Sequence, residues 1–332
     1  MLVALLAAAA VVTTLPPSIA ESSGLATSST SDAVLFTHED SGAAGEVHAV
    51  STDGRLLATY RLGVQSRDWE DMARGPALAS ASAGGSSLFL GDIGDNNGRR
   101  DHGVLVHEVP EPQADERAEG VAVDLPPVAS YRLRYEDGPK DAETLLVHPG
   151  TGRLYVVTKG LLGRPALYAA PERLRPDAPN LLDRVADVAV ERTRSPGGPG
   201  IGALASTLVT GGDISPDGER LALRTYTDVH EWRVEDGDVA GALEYDAVVT
   251  ALPPTYQGEA IAYTRDGTAL LTTSEGTSAP VHRVASALPP AEPRRALPDV
   301  VERSTRPVVV LGAVAALAVA GLLLLSRRRR HR

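Results

Sequence analysis

Short apolar runs alternate with turn residues along the chain from residue 23 to residue 285. Each repeat opens with a short segment suited to a β-strand and continues with an apolar run that ends in polar residues. Five such pairs can be aligned, and they open at Ser23, Glu70, Glu143, Thr210 and Glu259. Repeats of about 45 to 70 residues that consist of short strands are typical of a β-propeller.

Turn chemistry supports hairpins inside these repeats. Asp-Gly and Pro-Gly pairs lie between successive apolar runs, because glycine accepts the positive φ that tight hairpin turns require. Third strands are predicted at residues 46–50, 104–109, 166–169, 229–234 and 281–285, and fourth strands at residues 56–62, 128–135, 182–190 and 245–252. The last repeat has only three strands, so residues 15–21 are predicted to supply its fourth. The predicted fold class is therefore all-β, a propeller of four-stranded antiparallel blades with five blades counted and six as the alternative.

The two ends of the chain have a different pattern. Residues 1–20 are predicted to be a signal peptide or an N-terminal apolar segment, although a basic leader is missing and the true start could lie upstream. Cleavage is expected after Ala20 or at the alanine run that ends at Ala10. The propeller is placed at residues 21–287, and a stalk rich in proline and charge at residues 288–306.

A second apolar segment near the C-terminus predicts a membrane anchor. Residues 308–325 are uncharged and apolar, about 27 Å as a helix, which is close to the thickness of the hydrocarbon layer. A transmembrane helix is therefore predicted at residues 307–326. The basic tail at residues 327–332 places the C-terminus in the cytoplasm and the propeller outside, in a single-pass cell-membrane protein.

Charge and composition narrow the choice of partners. The formal net charge is −11 even though five arginines lie in the tail, so the rest of the chain is more acidic still. An acidic body is a poor partner for nucleic acid and a plausible partner for cations. The chain has no cysteine, which excludes disulfides but does not argue for the cytosol.

Charged residues are predicted to gather at one mouth of the channel. The first strand of each blade lines the channel, so its start and the end of the second strand share one face. Glu70, Glu143 and Glu259 occupy the starting positions and are candidate ligands for a metal ion. The candidate ligand-binding residues near the same mouth are Glu39, Asp71, Asp141, Lys159, Arg224 and Glu275.

Three glutamates that face one channel need neutralisation. At about 10 Å, each pair would repel by about 1.7 kcal/mol at an effective dielectric of 20. Three explanations stay open. Lys159 and Arg224 could complete a structural ion-pair ring, a Ca²⁺ ion could take the carboxylate oxygens, or the carboxyl pKa values could be raised.

Signals for catalysis are sparse. His38 and Asp92 are the candidate catalytic residues, each as a general base, although a solvated or hydrogen-bonded histidine is the simpler interpretation of His38. Residues 92–98 form an oxygen-rich loop that could hold calcium, yet it lacks the spacing of an EF-hand, and an ordinary turn built by aspartate and asparagine is the alternative. The sequence contains no nucleophile elbow, zinc motif or phosphate-binding glycine loop.

Several motifs taken together resemble a family of exported actinobacterial propeller proteins of largely unknown function. They are Asp68-Trp69-Glu70-Asp71, Gly91-Asp92-Ile93-Gly94-Asp95-Asn96, the segment from Asp137 to Glu143, Ser215-Pro216-Asp217-Gly218 and Gln257-Gly258-Glu259-Ala260. More remotely, the chain resembles TolB-like, SdiA-regulated and esterase-like-phytase propellers. That resemblance implies calcium binding or a calcium-dependent phosphoesterase. The wider group usually has six blades, whereas this chain shows five.

The sequence predicts a membrane-anchored extracellular propeller that binds a small ligand or an envelope protein at the acidic mouth, with Ca²⁺ as a candidate cofactor. The first alternative is a metal-dependent hydrolase, either a phosphoesterase or a lactonase, that uses the same carboxylates. The second is a structural envelope protein with no small ligand.

Overall fold

Strands make up nearly all the regular structure of the described residues. The computed structural model describes residues 5–6, 9–40, 44–79, 85–161 and 163–290. In these residues the helical structure consists of a 3-10 helix, Gly202–Ser206, and a single turn of α-helix, α1 (Val239–Ala242).

The strands follow the predicted order along the chain. Two precede the first repeat: β1 (Leu5–Leu6) and β2 (Ala9–Thr14). The first repeat contains β3 (Ser22–Thr27), β4 (Val34–Glu39), β5 (Ala44–Ser51) and β6 (Leu56–Gln65). The second contains β7 (Trp69–Pro76), β8 (Ser86–Asp92), β9 (Val104–Pro110), β10 (Val121–Asp124) and β11 (Ala129–Tyr135).

The remaining strands complete three further repeats. The third repeat contains β12 (Ala142–Val147), β13 (Leu154–Thr158), β14 (Ala166–Ala169) and β15 (Asn180–Asp187). The fourth contains β16 (Val209–Ile214), β17 (Arg220–Thr225), β18 (Asp228–Arg233) and β19 (Val248–Ala251). The fifth contains β20 (Gly258–Tyr263), β21 (Ala269–Ser274) and β22 (Pro280–Ala285).

The described strands pair into sheets of five, five, eight and four strands, and these contain five four-stranded antiparallel units, which we call blades one to five. The parallel pairs β1–β19, β6–β10 and β11–β15 are added to these units. In sheet order the blades are β3-β4-β5-β6, β7-β8-β9-β11, β12-β13-β14-β15, β16-β17-β18-β19 and β20-β21-β22-β2. The innermost strands contact one another in the closed cycle β3, β7, β12, β16, β20 and back to β3. The predicted all-β propeller is confirmed, and the described residues form five blades around one axis.

Hydrophobic side chains fill each interface between neighbouring blades. Five separate buried clusters lie between consecutive blades, and the interface between blades five and one closes the ring. Each blade presents an apolar face to both neighbours because the side chains of a strand alternate between its two faces. Stability therefore depends on closure of the ring, since an open end would leave two such faces in water.

The strand that closes the fifth blade differs from the prediction. The outer strand of this blade is β2, which pairs antiparallel with β22, and not residues 15–21. Residues 15–21 serve a packing role instead. Leu15 and Ile19 are each 1 % exposed and lie in the core between blades five and one. Strand β2 falls inside residues 1–20, so cleavage after Ala20 would remove it, and the signal peptide stays a prediction.

Candidate functional site

A break in the strand pairing marks the start of every innermost strand. In β3, β7, β12, β16 and β20 the register shifts at the residues that open the five repeats, namely Ser23, Glu70, Glu143, Thr210 and Glu259. A bulged residue has no direct partner in the ladder, and its side chain is turned away from the regular alternation. Five equivalent irregularities around one axis therefore present five polar side chains to one end of the channel. We call this end the glutamate mouth.

The two hydroxyl residues of the mouth connect neighbouring blades. Ser23 donates its hydroxyl to the Glu70 carbonyl at 2.6 Å and lies 3.2 Å from Oε2 of Glu259. Thr210 donates to the Gly258 carbonyl at 2.9 Å. Each hydroxyl thus satisfies a backbone group on the next blade, and Ser23 also brings the first, second and fifth blades into contact.

The three glutamates of the mouth lie close enough to perturb one another. Their exposed fractions are 5 % for Glu70, 2 % for Glu143 and 4 % for Glu259. Burial is the main cause that raises all three pKa values, to about 7 for Glu143 and well above the usual range for the other two. Repulsion from Glu143 raises the pKa values of Glu70 and Glu259 further. The structure therefore brings the three predicted carboxylates together, while their role in binding stays a prediction.

Lys159 supplies a positive charge at the mouth. Its ammonium group forms an ion pair with Oε1 of Glu143 and lies 5.8 Å from the centre of the Tyr226 ring. This charge lowers the pKa values of Glu70 and Glu259 as well as that of Glu143. Burial and the nearby acids raise the pKa of Tyr226 to about 12, so its hydroxyl stays protonated at neutral pH.

Glu275 and Arg224 flank Glu259 on the fifth-blade side of the mouth. Glu275 accepts a hydrogen bond from the Gln257 side chain at 2.7 Å, and its contact with Glu259 raises the pKa of Glu259. Arg224 is buried and donates to the carbonyls of Ala260 and Thr273, both at 2.6 Å. Burial lowers the pKa of Arg224 to about 9, which leaves it charged at neutral pH. Arg224 was a candidate for a structural ion-pair ring, and in the structure its guanidinium group donates to backbone oxygens.

The other candidate ligand-binding residues take different positions. Asp71 is fully buried on β7, and it accepts the amides of Met72 and Leu145. This side chain joins blades two and three and is not open to a ligand. Asp141 precedes β12 near Glu143 and accepts the amide of Asp95 at 2.9 Å. Glu39 is half-buried, and its carboxylate accepts the amide of Ala20.

Neither candidate catalytic residue is free to act as a base at the mouth. His38 is fully buried and packs edge-on against Trp69 with 5.5 Å between ring centres. Burial lowers the pKa of His38 to about 4. Asp92 is 2 % exposed and forms a 2.6 Å ion pair with Arg100, which is buried as well.

The oxygen-rich loop at residues 92–98 is satisfied by its own chain. Asp95 accepts the amides of Arg99 and Arg100, both at 2.8 Å, as in an ordinary turn closed by an aspartate. A Cβ atom at position 94 would meet the carboxylates of Glu70 and Asp68, so those side chains would have to shift to admit any residue other than glycine. The loop therefore passes directly beside the mouth.

Two features of the mouth were absent from the predicted site. Tyr226 ends the apolar run of the fourth repeat, and the ends of these runs are predicted to face the mouth. Its position in the alignment of the repeats could therefore have identified it. The connection at residues 188–208 covers Tyr226 through Ala205 and Leu208. Its path could not be read from the sequence, because it depends on Asp228, which accepts the hydroxyls of Thr193 and Ser195.

The carboxylates of the mouth are engaged by groups of the chain itself, and calcium binding at the mouth stays a prediction. Calcium takes six to eight oxygen ligands at 2.3–2.6 Å. The Lys159 ammonium group is bound to the Glu143 carboxylate, and the Glu259 carboxylate is engaged with Ser23 and Glu275. Within the described ranges, no three histidine, aspartate or glutamate side chains are grouped so that they could hold a metal ion.

No protein-family model and no curated protein matches the chain. Two solved structures share the general arrangement of strands: a glucose dehydrogenase at 11 % identity and TM-score 0.47, covering 84 % of this chain and 100 % of that one, and a gluconolactonase from Xanthomonas campestris at 16 % identity and TM-score 0.41, covering 82 % and 88 %. At such values the likeness carries no inference about reaction or ligand. The resemblance to exported actinobacterial propellers stays a prediction.

Proposed function

We propose that the protein is a membrane-anchored extracellular propeller that binds a cationic ligand at the glutamate mouth. The observation that carries this proposal is the convergence of Glu70, Glu143 and Glu259, which come from three different blades and are all nearly buried. Among the described side chains that contact them, the Lys159 ammonium group is bound to Glu143. The charges of Lys159 and of Arg224, which acts on Glu259, do not balance these three carboxylates and the nearby Asp68, Asp141 and Glu275. A cationic ligand would supply the missing positive charge.

Asp68, Asp141 and Glu275 extend the negative potential around the three glutamates. Asp68 raises the pKa values of Glu70 and Glu143, and Asp141 raises that of Glu143. Negative charge gathered in a low-dielectric cleft concentrates cations and increases their association rate. The surrounding acids therefore favour a cation over a neutral or anionic ligand.

Thermal unfolding with added cations tests the proposal. The full chain is melted at pH 8 with CaCl₂ or n-butylammonium chloride, with NaCl matched for ionic strength. A ligand at 100 times its Kd stabilises the folded state by about 2.7 kcal/mol, which raises the midpoint by several degrees. The shift should disappear in Glu259→Gln and persist in Glu46→Gln, whose carboxylate lies 3.7 Å from Arg61 on blade one. Equal shifts in both variants would contradict binding at the mouth.

Two other functions are less well supported. A metal-dependent hydrolase would need a general base, and His38 and Asp92 are both sequestered. A purely structural role is supported by the ion pair of Lys159 with Glu143. The absence of any midpoint shift with either cation would favour that structural role.

The proposal that the protein is attached to the membrane rests on its C-terminal sequence. In the described part of the chain, no helix is long and apolar enough to span a membrane. The predicted helix at residues 307–326, the basic tail and most of the stalk lie outside the described residues. The full chain should remain in the membrane pellet after carbonate extraction, and a chain that ends at residue 306 should be released. Release of both chains would refute the anchor.

A further inference from the structure

The ammonium group of Lys159 occupies the centre of the proposed site. It contacts Glu143, faces the ring of Tyr226 at 5.8 Å, and acts electrostatically on Glu70, Glu259 and Glu275. Carboxylates and an aromatic face are the groups that bind organic ammonium ions in proteins. The mouth is therefore built around an ammonium ion that the chain itself provides.

Lys159 differs from its partner in access to solvent. The Lys159 side chain is 15 % exposed, whereas that of Glu143 is 3 % exposed. Gly160 follows at φ +85°, and Leu161 beyond it is 55 % exposed, so the lysine stands at the start of a surface loop. A long flexible side chain at such a position can withdraw without disturbing the strands, because four rotatable bonds lie between its ammonium group and the backbone.

A second acceptor for the ammonium group lies on the neighbouring chain segment. The amide of Lys159 donates to the carbonyl of Asp141 at 3.1 Å, so the two residues are adjacent. Oδ2 of Asp141 is buried and has no hydrogen-bond partner among the described residues, while Oδ1 accepts the Asp95 amide. An unpaired carboxylate oxygen that is out of contact with solvent is costly, and an approaching ammonium group would satisfy it.

A groove connects this point to solvent. The volume of the groove beside Asp141 is about 580 Å³. Thr158 and Gly160, the neighbours of Lys159 in the chain, line it together with Asn96, Asn97 and Tyr168. Asp141, the second acceptor, therefore lies at the edge of an open groove.

We propose that Lys159 is an internal occupant of the glutamate mouth, and that the ammonium group of an external primary amine displaces it. The released side chain moves to Asp141. This inference rests on the proposed function, and it adds the ligand class and the step that admits the ligand.

The chemistry favours an amine over a metal ion. A primary ammonium group donates three hydrogen bonds, and it can replace the Lys159 ammonium group on the same oxygens. A calcium ion would require those oxygens to be rearranged into a cage of six to eight ligands. Replacement of one ammonium group by another therefore needs a smaller rearrangement of the carboxylates than binding of a calcium ion does.

NMR of the lysine ammonium groups tests the displacement in the unaltered protein. The chain has two lysines, Lys140 and Lys159, so ¹⁵N-lysine labelling gives two side-chain signals. Titration with unlabelled n-butylammonium should shift the Lys159 signal and leave the Lys140 signal in place, because Lys140 contacts Asp137 instead. An unmoved Lys159 signal at saturation by n-butylammonium would overturn the inference.

Calorimetric titration of Lys159→Met with n-butylammonium gives a second test. If the open state of the wild type is populated at about 10 %, removal of the competing side chain should tighten binding about tenfold. Lys140→Met is the matched control and should bind as the wild type does. A wild type that binds while Lys159→Met binds no tighter refutes the displacement alone, whereas failure of both proteins to bind refutes the proposed function as well. If Lys159→Met does not fold, the NMR titration decides.

Discussion

The two ends of the propeller channel satisfy their charged groups in opposite ways. At the glutamate mouth, like charges converge and the pKa values of three carboxyls are raised. At the opposite end, which carries the Asp-Gly turns, the terminal nitrogens of Arg220 donate to Gly267, Leu288 and Asp217, and its guanidinium lies 5.1 Å from the centre of the Tyr263 ring. One end therefore holds a charge imbalance and the other holds paired groups.

The turn end is also nearly filled. Its cavity is about 20 Å³, which is room for about one water molecule. Apolar side chains and two prolines line it together with Arg74, Asp213 and Tyr263. The turn end therefore has no room for a ligand and contributes mainly to stability, whereas the proposed binding site lies at the mouth. The comparison predicts that substitutions at the two ends change different measured quantities.

The largest effect is expected at the turn end. Arg220→Met removes a guanidinium that is fully buried, takes from the Gly267 carbonyl its side-chain donor, and leaves the Leu288 carbonyl with the Ser286 hydroxyl alone. Loss of one partner of a buried charged network costs about 3–5 kcal/mol, and we expect about 3 kcal/mol because Asp217 is partly exposed. Urea denaturation measures this loss, and calorimetry should find the n-butylammonium affinity unchanged.

Arg233→Met is the matched control for this change. Arg233 lies opposite Arg220 in the strand ladder, but its side chain is exposed. A surface substitution of this kind changes stability by less than about 0.5 kcal/mol. Similar losses in the two variants, or a loss of n-butylammonium binding in Arg220→Met, would remove the distinction between the two ends.

The pH dependence of stability gives the next largest effect. Burial raises the pKa of Glu143 to about 7, so the folded state holds this proton more tightly than the unfolded state does. The contribution of the protonated Glu143 carboxyl to the free energy of unfolding is fully present below pH 4.5 and is lost as the pH rises through about 7. Over this window wild type should lose about 3 kcal/mol relative to Glu143→Gln. Urea denaturation at a series of pH values measures the difference, and a gap between the two proteins that is constant with pH would contradict it.

The sequence predicted most of the fold because its signals are local. Apolar runs between glycine turns identified the third and fourth strands of the blades, since hairpins are encoded within a few residues. The prediction that residues 15–21 close the fifth blade was wrong for a physical reason. The alanines and valines of residues 9–14 suit a signal peptide and an outer strand equally, and only the tertiary structure shows that Leu15 and Ile19 belong to the core.

The site was predicted in part because propeller symmetry makes positions in different repeats equivalent. Alignment of the repeats found Glu70, Glu143 and Glu259 without any distance information. It could not show that Asp92 pairs with Arg100, because that contact depends on how the loop folds back. It also could not separate Asp71, which is bound by backbone amides, from the neighbouring Glu70. Contacts between loops and between blades are not encoded in the period of the repeat.

The third-largest change in stability is expected when two buried glutamates with opposite surroundings, Glu70 and Glu108, are each replaced by glutamine. Glu70 lies among other acids, so Glu70→Gln at pH 8 should stabilise the protein by about 1 kcal/mol through relief of repulsion. Glu108 is equally buried but accepts from Leu78, Ser87 and Tyr131. Replacing its carboxylate by an amide should cost about 1–2 kcal/mol, because one acceptor oxygen becomes a donor.

Urea denaturation of both glutamine variants compares these environments directly. The n-butylammonium affinity should fall about tenfold in Glu70→Gln, which corresponds to about 1.4 kcal/mol, and should not change in Glu108→Gln. Destabilisation of both variants by the same amount would mean that Glu70 is satisfied by donors as Glu108 is, and the charge imbalance at the mouth would have to be abandoned.

The smallest effect concerns Tyr226, where the ring and the hydroxyl can be separated. The ring faces the Lys159 ammonium group at 5.8 Å, and a cation over such a face gains about 0.5–1 kcal/mol. Tyr226→Phe keeps the face, so n-butylammonium should bind within about twofold of the wild type, whereas Tyr226→Leu should lose about threefold, as 0.5–1 kcal/mol implies. Calorimetry at pH 8 resolves the two. A loss in Tyr226→Phe as large as in Tyr226→Leu would assign the contribution to the hydroxyl and would show that the aromatic face plays no part in holding the ammonium group.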